Sequence, residues 1–346
     1  MTVSRVAIIQ HPPVVLDLGA SLTRADNLVA EAADGGADLV VFPETWLPGY
    51  PSWAFGLAGW ADQTGKQAHA RLLRNALTVP GPALDALTTM AAQHSVHLVM
   101  GVNELGTRSS RGTLYNSLVF IDDVGQLLGV HRKLIPTHAE RLVWGRGDAS
   151  TLTAYETAVG RIGGLICWEH WMPLARFAMH ASGEQIHVAA WPDLPEMHHV
   201  ASRHYAFEGR CFVICAGLYL EIADIPEELR AASASAFDQT ESGVLLPGAS
   251  AIIGPDGEYV TPPTPGRTIV YGDIDLAMID GEFQALDSAG HYNRPDLFRL
   301  TVDRRPQQHV DWIDEPQQQP HRPTAKENAW NPTPTTSTKS SNVAYG

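Results

Sequence analysis

The sequence predicts an α/β fold built from mixed sheets with helices packed on them, and three observations lead to this prediction. Short apolar runs rich in β-branched residues recur along the 346-residue chain. Segments with helical periodicity separate several of these runs, which is the pattern of a layered α/β domain. Turn sequences at residues 122–126 and 254–258 each join two of the apolar runs, so the sheets should also contain antiparallel hairpins.

Individual elements follow from the same patterns. The predicted strands are residues 5–10, 38–42, 97–102, 117–121, 162–167, 187–190, 211–216 and 250–253. The predicted helices are residues 21–33, 66–77, 83–93, 171–181, 200–209 and 276–285. Ser21 has the side chain of an N-cap and is expected to begin the first helix.

The composition divides the chain into one large domain and a tail. Residues 1–302 show no internal boundary, and a 44% apolar content supports a substantial core. Residues 303–346 are rich in Gln, Pro, Thr, Ser and Asn. Such a segment buries little apolar surface, so we expect it to be disordered or ordered only against a neighbouring subunit.

Bulk properties exclude several classes of protein. A net charge of −14 argues against a nucleic-acid or anionic-membrane partner. The first residues form a strand pattern rather than a signal peptide, and no apolar run is long enough to span a membrane. Three cysteines fit a reducing compartment, so we expect a cytoplasmic protein. The sequence contains no metal-ligand cluster and no phosphate-binding glycine loop, so no metal or cofactor is expected.

Cys167 is the strongest candidate for a nucleophile. The apolar run at residues 160–166 brings it to the end of a strand, and Trp168, Glu169 and His170 follow at once. A nucleophilic thiol needs a sharp exit from a sheet and polar groups that ionise it. The alternative is an inert packing cysteine, the interpretation we favour for the two cysteines within residues 211–216.

Two carboxylates and a lysine could supply those polar groups. Glu44 ends a buried strand, where lost hydration would raise its pKa and make it a usable base. Lys133 also follows a strand, and Glu140 lies seven residues later. Each residue has an ordinary alternative as a strand-end cap or a surface charge, and spacing alone does not unite them with Cys167.

Four segments, taken together and in order, resemble the nitrilase family of the carbon–nitrogen hydrolase superfamily. They are residues 42–51, 132–148, 167–173 and 291–296, and the similarity runs from about residue 3 to residue 296. The resemblance implies a four-layer α-β-β-α sandwich with mixed sheets. It also implies that subunits pair to extend these layers into dimers, and that dimers assemble into larger spirals or filaments.

The resemblance also implies a catalytic set of Glu44, Lys133, Cys167 and Glu140. In that set Cys167 adds to the substrate carbon and Glu44 transfers protons. Lys133 stabilises the negative charge that develops on nitrogen, and Glu140 orients Lys133. A thioimidate and then a thioester would form on the sulfur, without a metal or cofactor.

The residues around Cys167 indicate the substrate. Cys-Trp-Glu at residues 167–169 is typical of nitrilases, whereas amidases and carbamoylases of the superfamily tend toward Cys-Tyr-Asp. The resemblance therefore favours a small nitrile as substrate, with a carboxylic acid and ammonia as products and some amide. The peptide N–H of Trp168 could be one donor of an oxyanion hole. An amidase or carbamoylase, and a non-catalytic assembly protein, are the alternatives.

Aromatic and amphipathic residues within or beside the motifs are expected to line the substrate pocket. They are Tyr50, Trp53, Trp168, His170 and Trp191. Such walls would suit aromatic or arylaliphatic nitriles, although Trp53 and Trp191 could equally be core residues. Aliphatic nitriles and hydrogen cyanide stay open as substrates.

Overall fold

Two seven-stranded mixed sheets form the centre of the structure. This computed structural model describes residues 3–106, 111–237, 243–307 and 310. The strands before residue 150 are β1 (Val3–Gln10), β2 (Leu39–Val41), β3 (Leu77–Thr78), β4 (His97–Leu105), β5 (Leu114–Ile121) and β6 (Leu127–Arg132). The later strands are β7 (Tyr155–Thr157), β8 (Gly160–Ile166), β9 (Ile186–Trp191), β10 (Phe212–Gly217), β11 (Tyr219–Glu221), β12 (Val244–Ile253), β13 (Tyr259–Pro265) and β14 (Thr268–Asp275).

Helices accompany both sheets, and the first five of those described connect parallel strands. The helices are α1 (Leu18–Asp34), α2 (Gln63–Arg74), α3 (Pro82–His94), α4 (Pro173–His180), α5 (Glu196–Gly209), α6 (Arg230–Ala234) and α7 (Ala277–Glu282). The first sheet has the order β14-β1-β2-β4-β5-β6, with β3 beside β4. The second has the order β11-β12-β10-β9-β8-β7, with β13 beside β12.

Alternation along β1 explains the layering. Ala7 and Ile9 belong to the core cluster that contains the buried faces of α1 and α3. Val6 and Ile8 belong to the cluster that contains the strands of the second sheet. Since successive side chains of a strand point to opposite faces, the first sheet packs on helices with one face and on the second sheet with the other. α5 packs on β10, which completes the predicted four-layer α-β-β-α arrangement.

The parallel strands determine where the site lies. β1, β2 and β4 run parallel in the first sheet, and β8, β9 and β10 run parallel in the second. In each sheet a helix joins one parallel strand to the next. Segments that follow the carboxyl ends of such strands lie at one edge of the sheet, which is where open α/β sheets form binding sites. Glu44 and Cys167 both occupy segments of this kind.

Every predicted strand and helix has a counterpart in the structure, although some boundaries differ. One correction is at the first helix, which begins at Leu18 rather than near Ser21. Asp17 is its N-cap, and the Asp17 side chain accepts a hydrogen bond from the Ala20 N–H at 2.9 Å. Ser21 is buried in the helix, where its hydroxyl bonds the backbone of Val14 instead.

The chain divides into a compact unit, Met1–Gln307, and a second unit, Gln308–Gly346. Val310 is the single described residue of the second unit, so the predicted tail lies almost entirely outside the described residues. The boundary and character predicted for residues 303–346 stay predictions. Within the described ranges, no helix is both long and apolar enough to cross a membrane.

Candidate active site

Four segments bring Glu44, Lys133, Glu140 and Cys167 into one buried cluster. Glu44 lies just after β2, whereas Lys133 and Cys167 follow β6 and β8 directly. Glu140 lies in the short 3-10 helix His138–Leu142. One oxygen of each glutamate and the Cys167 Sγ atom all lie within 4.8 Å of one another. None of the four residues is more than 4% exposed, so their charges interact with little screening by water.

The chain after β2 turns sharply to present Glu44. Thr45 has a left-handed backbone with φ of 46°, and the Leu47 N–H donates to the Gly101 carbonyl at 3.0 Å. A Cβ atom at position 101 would overlap the Pro43 carbonyl oxygen. Glycine in β4 therefore lets the segment that carries Glu44 lie directly against the sheet.

Lys133 bridges the two carboxylates. Its Nζ atom donates to Glu44 Oε1 at 2.9 Å and to Glu140 Oε2 at 2.7 Å. Burial alone would lower the pKa of Lys133, but the acidic groups Cys167, Glu44 and Glu140 raise that pKa above its ordinary value. Lys133 is therefore a permanent cation that lies between the acidic groups.

Glu140 is held in one orientation beside Lys133. Its Oε2 atom also accepts from the backbone N–H of Thr137 at 2.7 Å, and its Oε1 atom accepts from the Tyr50 hydroxyl at 2.8 Å. Burial raises the pKa of Tyr50 well above its ordinary value, so Tyr50 keeps the proton that it donates. This places Tyr50, predicted to line the substrate pocket, in contact with the cluster.

Glu44 has one bonded oxygen and one unbonded oxygen. Oε1 accepts from Lys133 and from the Asn116 Nδ2 atom at 2.6 Å. Oε2 is buried and has no hydrogen-bond partner among the residues described. Burial raises the pKa of Glu44 to about 7, with Lys133 opposing the shift and Glu140 adding to it. A carboxylate of this kind can accept a proton on Oε2 near neutral pH.

Cys167 occupies a strained turn at the end of β8. Its backbone φ is 54°, a left-handed conformation that non-glycine residues rarely adopt. His138, in the segment of Glu140, has the same conformation, with φ of 46°. Burial raises the pKa of the Cys167 thiol well above its ordinary value, whereas Lys133 and the backbone N–H of Trp168 lower it. The thiol therefore keeps its proton until a base removes it, and Glu44 is a base within reach.

The cluster also has the donor types of a metal site. Glu44, Glu140 and Cys167 each offer one ligand atom within the shared 4.8 Å. The Lys133 ammonium already bonds both carboxylates, so the positive charge that a metal ion would bring is supplied by the chain itself.

Sequence reasoning missed two buried groups that hold the site together. Glu169 accepts from the Ile166 N–H at 2.6 Å and from the Leu134 N–H at 2.8 Å, so it ties the turn of Cys167 to the segment of Lys133. Burial alone would raise the pKa of Glu169, but His131 and these N–H groups lower it. The available signal was a carboxylate three residues after a buried strand.

Asn116 is the other missed group. It lies in β5, where every residue is buried, and it holds Glu44 as described above. A polar side chain inside an apolar strand usually has a specific partner, since burying an unpaired amide is unfavourable. That rule indicates a partner for Asn116 but does not identify it.

The remaining predicted pocket residues have different surroundings. Trp168 is half-exposed, and its ring packs edge-on against Trp171 at 5.2 Å. His170 and Trp191 are buried next to the turn of Cys167, with their rings stacked at 4.7 Å. Trp53 is buried and lines a separate cavity. Contact of these residues with substrate stays a prediction.

That cavity has a volume of about 290 Å³. Its lining residues are Trp53, Ala54, Leu57, Ala58, Gly59, Trp60, Asp62, Gly65, Lys66, His69, Leu142 and Val143. None of them belongs to the catalytic cluster, although Leu142 and Val143 follow Glu140 closely in sequence. The cavity is therefore lined by residues outside the catalytic cluster.

The sheets, the layers and the buried Glu–Lys–Cys cluster define a class of hydrolase. The family model described as carbon-nitrogen hydrolase matches residues 5–281. The chain therefore belongs to the carbon–nitrogen hydrolase family. Its fold is similar to that of a carbon-nitrogen hydrolase from Helicobacter pylori G27, with a TM-score of 0.65 and 19% identity over 86% of this chain and 97% of that one.

Relatives with higher identity bear nitrilase names. A bifunctional nitrilase/nitrile hydratase of Nicotiana tabacum is 38% identical over 86% of this chain and 85% of its own length. A protein named nitrilase 2 from an unknown prokaryotic organism is 40% identical over 86% of this chain and 91% of its own length. The resemblance to nitrilases that the motifs indicated is thereby confirmed.

Proposed function

We propose that this protein is a nitrilase that converts an organic nitrile to a carboxylic acid and ammonia, with Cys167 as nucleophile. One observation carries the proposal: a buried thiol lies within 4.8 Å of two carboxylates that a lysine bridges. Glu44, residues 133–140 and Cys167 are far apart in sequence, so their convergence is a property of the fold. The nitrilase names of the relatives favour a nitrile over other carbon–nitrogen substrates.

The first step forms a covalent adduct. Glu44 Oε2 accepts the thiol proton, and the Cys167 sulfur adds to the nitrile carbon as one C–N π bond breaks. The nitrogen takes up the electron pair and receives a proton from the cluster, which gives a neutral thioimidate. Lys133 stabilises the nitrogen anion while it develops, and Glu140 keeps the ammonium directed at it.

The second step consumes water. Glu44 removes a proton from a water molecule, which adds to the thioimidate carbon and gives a tetrahedral intermediate. Expulsion of ammonia leaves a thioester, and a second water releases the carboxylic acid and restores the thiol. Expulsion of the thiolate from the same intermediate would release an amide. The bifunctional name of the tobacco relative supports expecting some amide.

The substrate is proposed to be an aromatic or arylaliphatic nitrile. Two aromatic residues support this proposal. Trp168 is half-exposed next to Cys167, and the Tyr50 hydroxyl donates to Glu140 in the cluster. Aromatic walls bind aryl groups through apolar area and ring contacts. Aliphatic nitriles and cyanide are the alternatives within the same chemistry.

Side-by-side initial rates test the function and the substrate class together. Phenylacetonitrile, benzonitrile, a short dinitrile and cyanide are each compared with the corresponding amide, where one exists. We expect faster turnover of the nitriles, fastest for an aryl or arylalkyl compound, with acid as the main product. Faster turnover of an amide than of its nitrile would identify an amidase, and turnover of neither would contradict the proposal.

The pKa of Glu44 predicts opposite pH dependences of activity and stability. Its ionised form is the base, so kcat/KM should rise with pH through about 7. Between its ordinary pKa of 4.5 and about 7 the unfolded chain has lost this proton while the folded chain keeps it. The free energy of unfolding should therefore fall as pH rises across this range.

Denaturant unfolding of wild type and Glu44→Gln at several pH values isolates this contribution. The variant cannot titrate at position 44, so its stability should fall less between pH 4.5 and 7. Identical slopes for the two proteins, or a wild-type rate profile that is flat across neutrality, would contradict the assignment of Glu44 as the base.

We further propose that subunits pair through the outer faces of α4 and α5 and assemble into larger spirals or filaments in the cytoplasm. Large apolar side chains are exposed there: Trp171, Leu174, Met197, Val200 and Phe207. An exposed apolar face of this kind supports a protein interface, and a second copy packed there would add its layers to those of the first. Sedimentation of the full chain beside a chain ending at residue 302 tests both self-association and the role of the tail. A monomeric full chain would contradict the proposed assembly.

A further inference from the structure

A chain of buried hydrogen bonds begins at the backbone carbonyl of Cys167 and leads away from the catalytic cluster. His170 Nδ1 lies 2.6 Å from the Cys167 carbonyl oxygen, and His170 Nε2 lies 3.0 Å from His187 Nε2. His187 Nδ1 in turn lies 2.7 Å from Glu184 Oε2. His170, His187 and Glu184 are all buried, and the proposed hydrolysis uses none of them.

Counting donors and acceptors along this chain determines the tautomer of His170. A carbonyl oxygen only accepts, so His170 Nδ1 must carry a hydrogen. Burial, reinforced by His187, lowers the pKa of His170 well below its ordinary value, so His170 is neutral and its Nε2 accepts. His187 Nε2 is then the donor of this pair, and His187 Nδ1 lies 2.7 Å from Glu184 Oε2.

Neighbouring elements support this arrangement. Burial alone would raise the pKa of Glu184, but His187 and His180 lower it to about 2. Tyr205 of α5 donates to the other oxygen of Glu184, and its ring stacks on His187 at 3.8 Å. The other charged or titratable groups that face this series of hydrogen bonds are His180 and Arg176 of α4 and Glu208 of α5.

The carbonyl that His170 holds belongs to the peptide unit that faces the nucleophile. In a trans peptide the C=O and N–H bonds point in opposite directions, so fixing the oxygen fixes the direction of the hydrogen. The N–H of this unit is that of Trp168, the residue next to Cys167, and it lowers the pKa of the Cys167 thiol. Donation to the C=O also polarises the unit and makes its N–H a stronger donor.

We propose that His170 is a positioning residue that directs the Trp168 N–H toward the Cys167 sulfur and the adjacent reacting nitrogen, and that His187 and Glu184 maintain its donating tautomer. The strained backbone of Cys167, with φ of 54°, would otherwise be free to relax and turn this N–H away. The inference rests on the proposed function, because it assigns a role in activating the same nucleophile.

A matched pair of substitutions separates hydrogen bonding from packing. Asparagine and leucine have the same size and branching, but only asparagine can donate near the position of Nδ1. We expect kcat of His170→Asn to stay within about threefold of wild type. We expect His170→Leu to lose about tenfold or more in kcat with KM nearly unchanged, since one preorganised donor is misdirected.

Alkylation of Cys167 by iodoacetamide gives a second readout that needs no nitrile. The pH profile of the rate should shift to higher pH in His170→Leu and stay near wild type in His170→Asn, because the Trp168 N–H stabilises the thiolate. Peptide mapping separates Cys167 from Cys211 and Cys215, which are buried and serve as internal references. Equal effects of the two substitutions, or no effect of either, would overturn the proposal.

A second pair is available if substitutions at position 170 prevent folding. Glutamine at position 187 can still donate to His170 Nε2, whereas methionine of similar length cannot, so His187→Gln should exceed His187→Met in kcat by about tenfold. Absence of nitrile hydrolysis by wild type would contradict the proposed function and leave the alkylation test intact. Full activity of His170→Leu beside an active wild type would contradict only the positioning role.

Discussion

Replacing Cys167 by alanine is expected to lower nitrile hydrolysis by about four orders of magnitude or more, because the sulfur forms the covalent intermediate. Neither Glu44 nor Lys133 can substitute for it, since both would only activate water at a carbon that is a weak electrophile. The fold should persist. Alanine fits the space of cysteine, and the lost sulfur contacts should reduce the free energy of unfolding by only about 1 kcal/mol.

Cys215→Ala is the matched control for this substitution. Cys215 is also buried, lies in β10 and contacts the Ser202 hydroxyl at 3.3 Å, so the same chemical change is made in the same core. The control should keep the wild-type rate within about twofold, since no cluster residue touches it. The measurement compares the rates and melting temperatures of the three proteins. It also includes the mass of the acid-quenched wild-type enzyme, which should carry the acyl or imidoyl group. Hydrolysis by Cys167→Ala would remove Cys167 from the mechanism.

The sequence was informative where chemistry is local. Apolar runs with glycine or proline at their ends predicted the strands that carry Glu44 and Cys167, because strand periodicity and turn chemistry depend on near neighbours. One wrong local prediction, Ser21 as N-cap, arose because Asp17 is an equally good cap and lies where the chain actually enters the helix. Both residues are N-cap types, and burial decided between them.

The convergence of the site depends on contacts that no local pattern contains. Glu44 and Lys133 follow strands of the first sheet, and Cys167 follows a strand of the second. Their proximity therefore results from packing between the sheets. The roles of Asn116 and Glu169 depend on the same packing. Resemblance to nitrilases supplied the grouping of the four residues, whereas hydrogen-bond geometry was needed to find the two residues that hold them.

His170 is the clearest example of a residue whose surroundings the sequence did not predict. Its place beside Cys167 in sequence suggested contact with substrate, and a histidine in a motif has several possible roles. In the structure its ring is buried between the Cys167 carbonyl and His187, and its contact with substrate stays a prediction. Register between β8 and β9 sets this contact, since the two strands pair in parallel with Gly163 opposite His187.

Replacing Lys133 by methionine is expected to abolish activity and to destabilise the fold at the same time. Methionine keeps most of the length of the side chain, so packing is largely preserved. Glu44 and Glu140 would then be buried beside each other without the cation that now bonds both. Breaking a buried ion pair by removing one partner lowers the free energy of unfolding by about 3–5 kcal/mol. Denaturant unfolding and nitrile turnover measure the two effects.

A second substitution separates the two losses. Glu140→Gln in the Lys133→Met background removes one of the stranded charges. Its amide oxygen can still accept from the Thr137 N–H, and its NH2 group can donate to the Tyr50 hydroxyl. We expect most of the lost stability to return and activity to stay absent, because no ammonium faces the developing nitrogen anion. The loss in Lys133→Met alone should shrink at acidic pH, where protonation neutralises the carboxyls, and grow as pH rises. A Lys133→Met protein as stable as wild type at neutral pH would contradict the buried ion cluster, and an active double variant would contradict the role of Lys133 in the reaction.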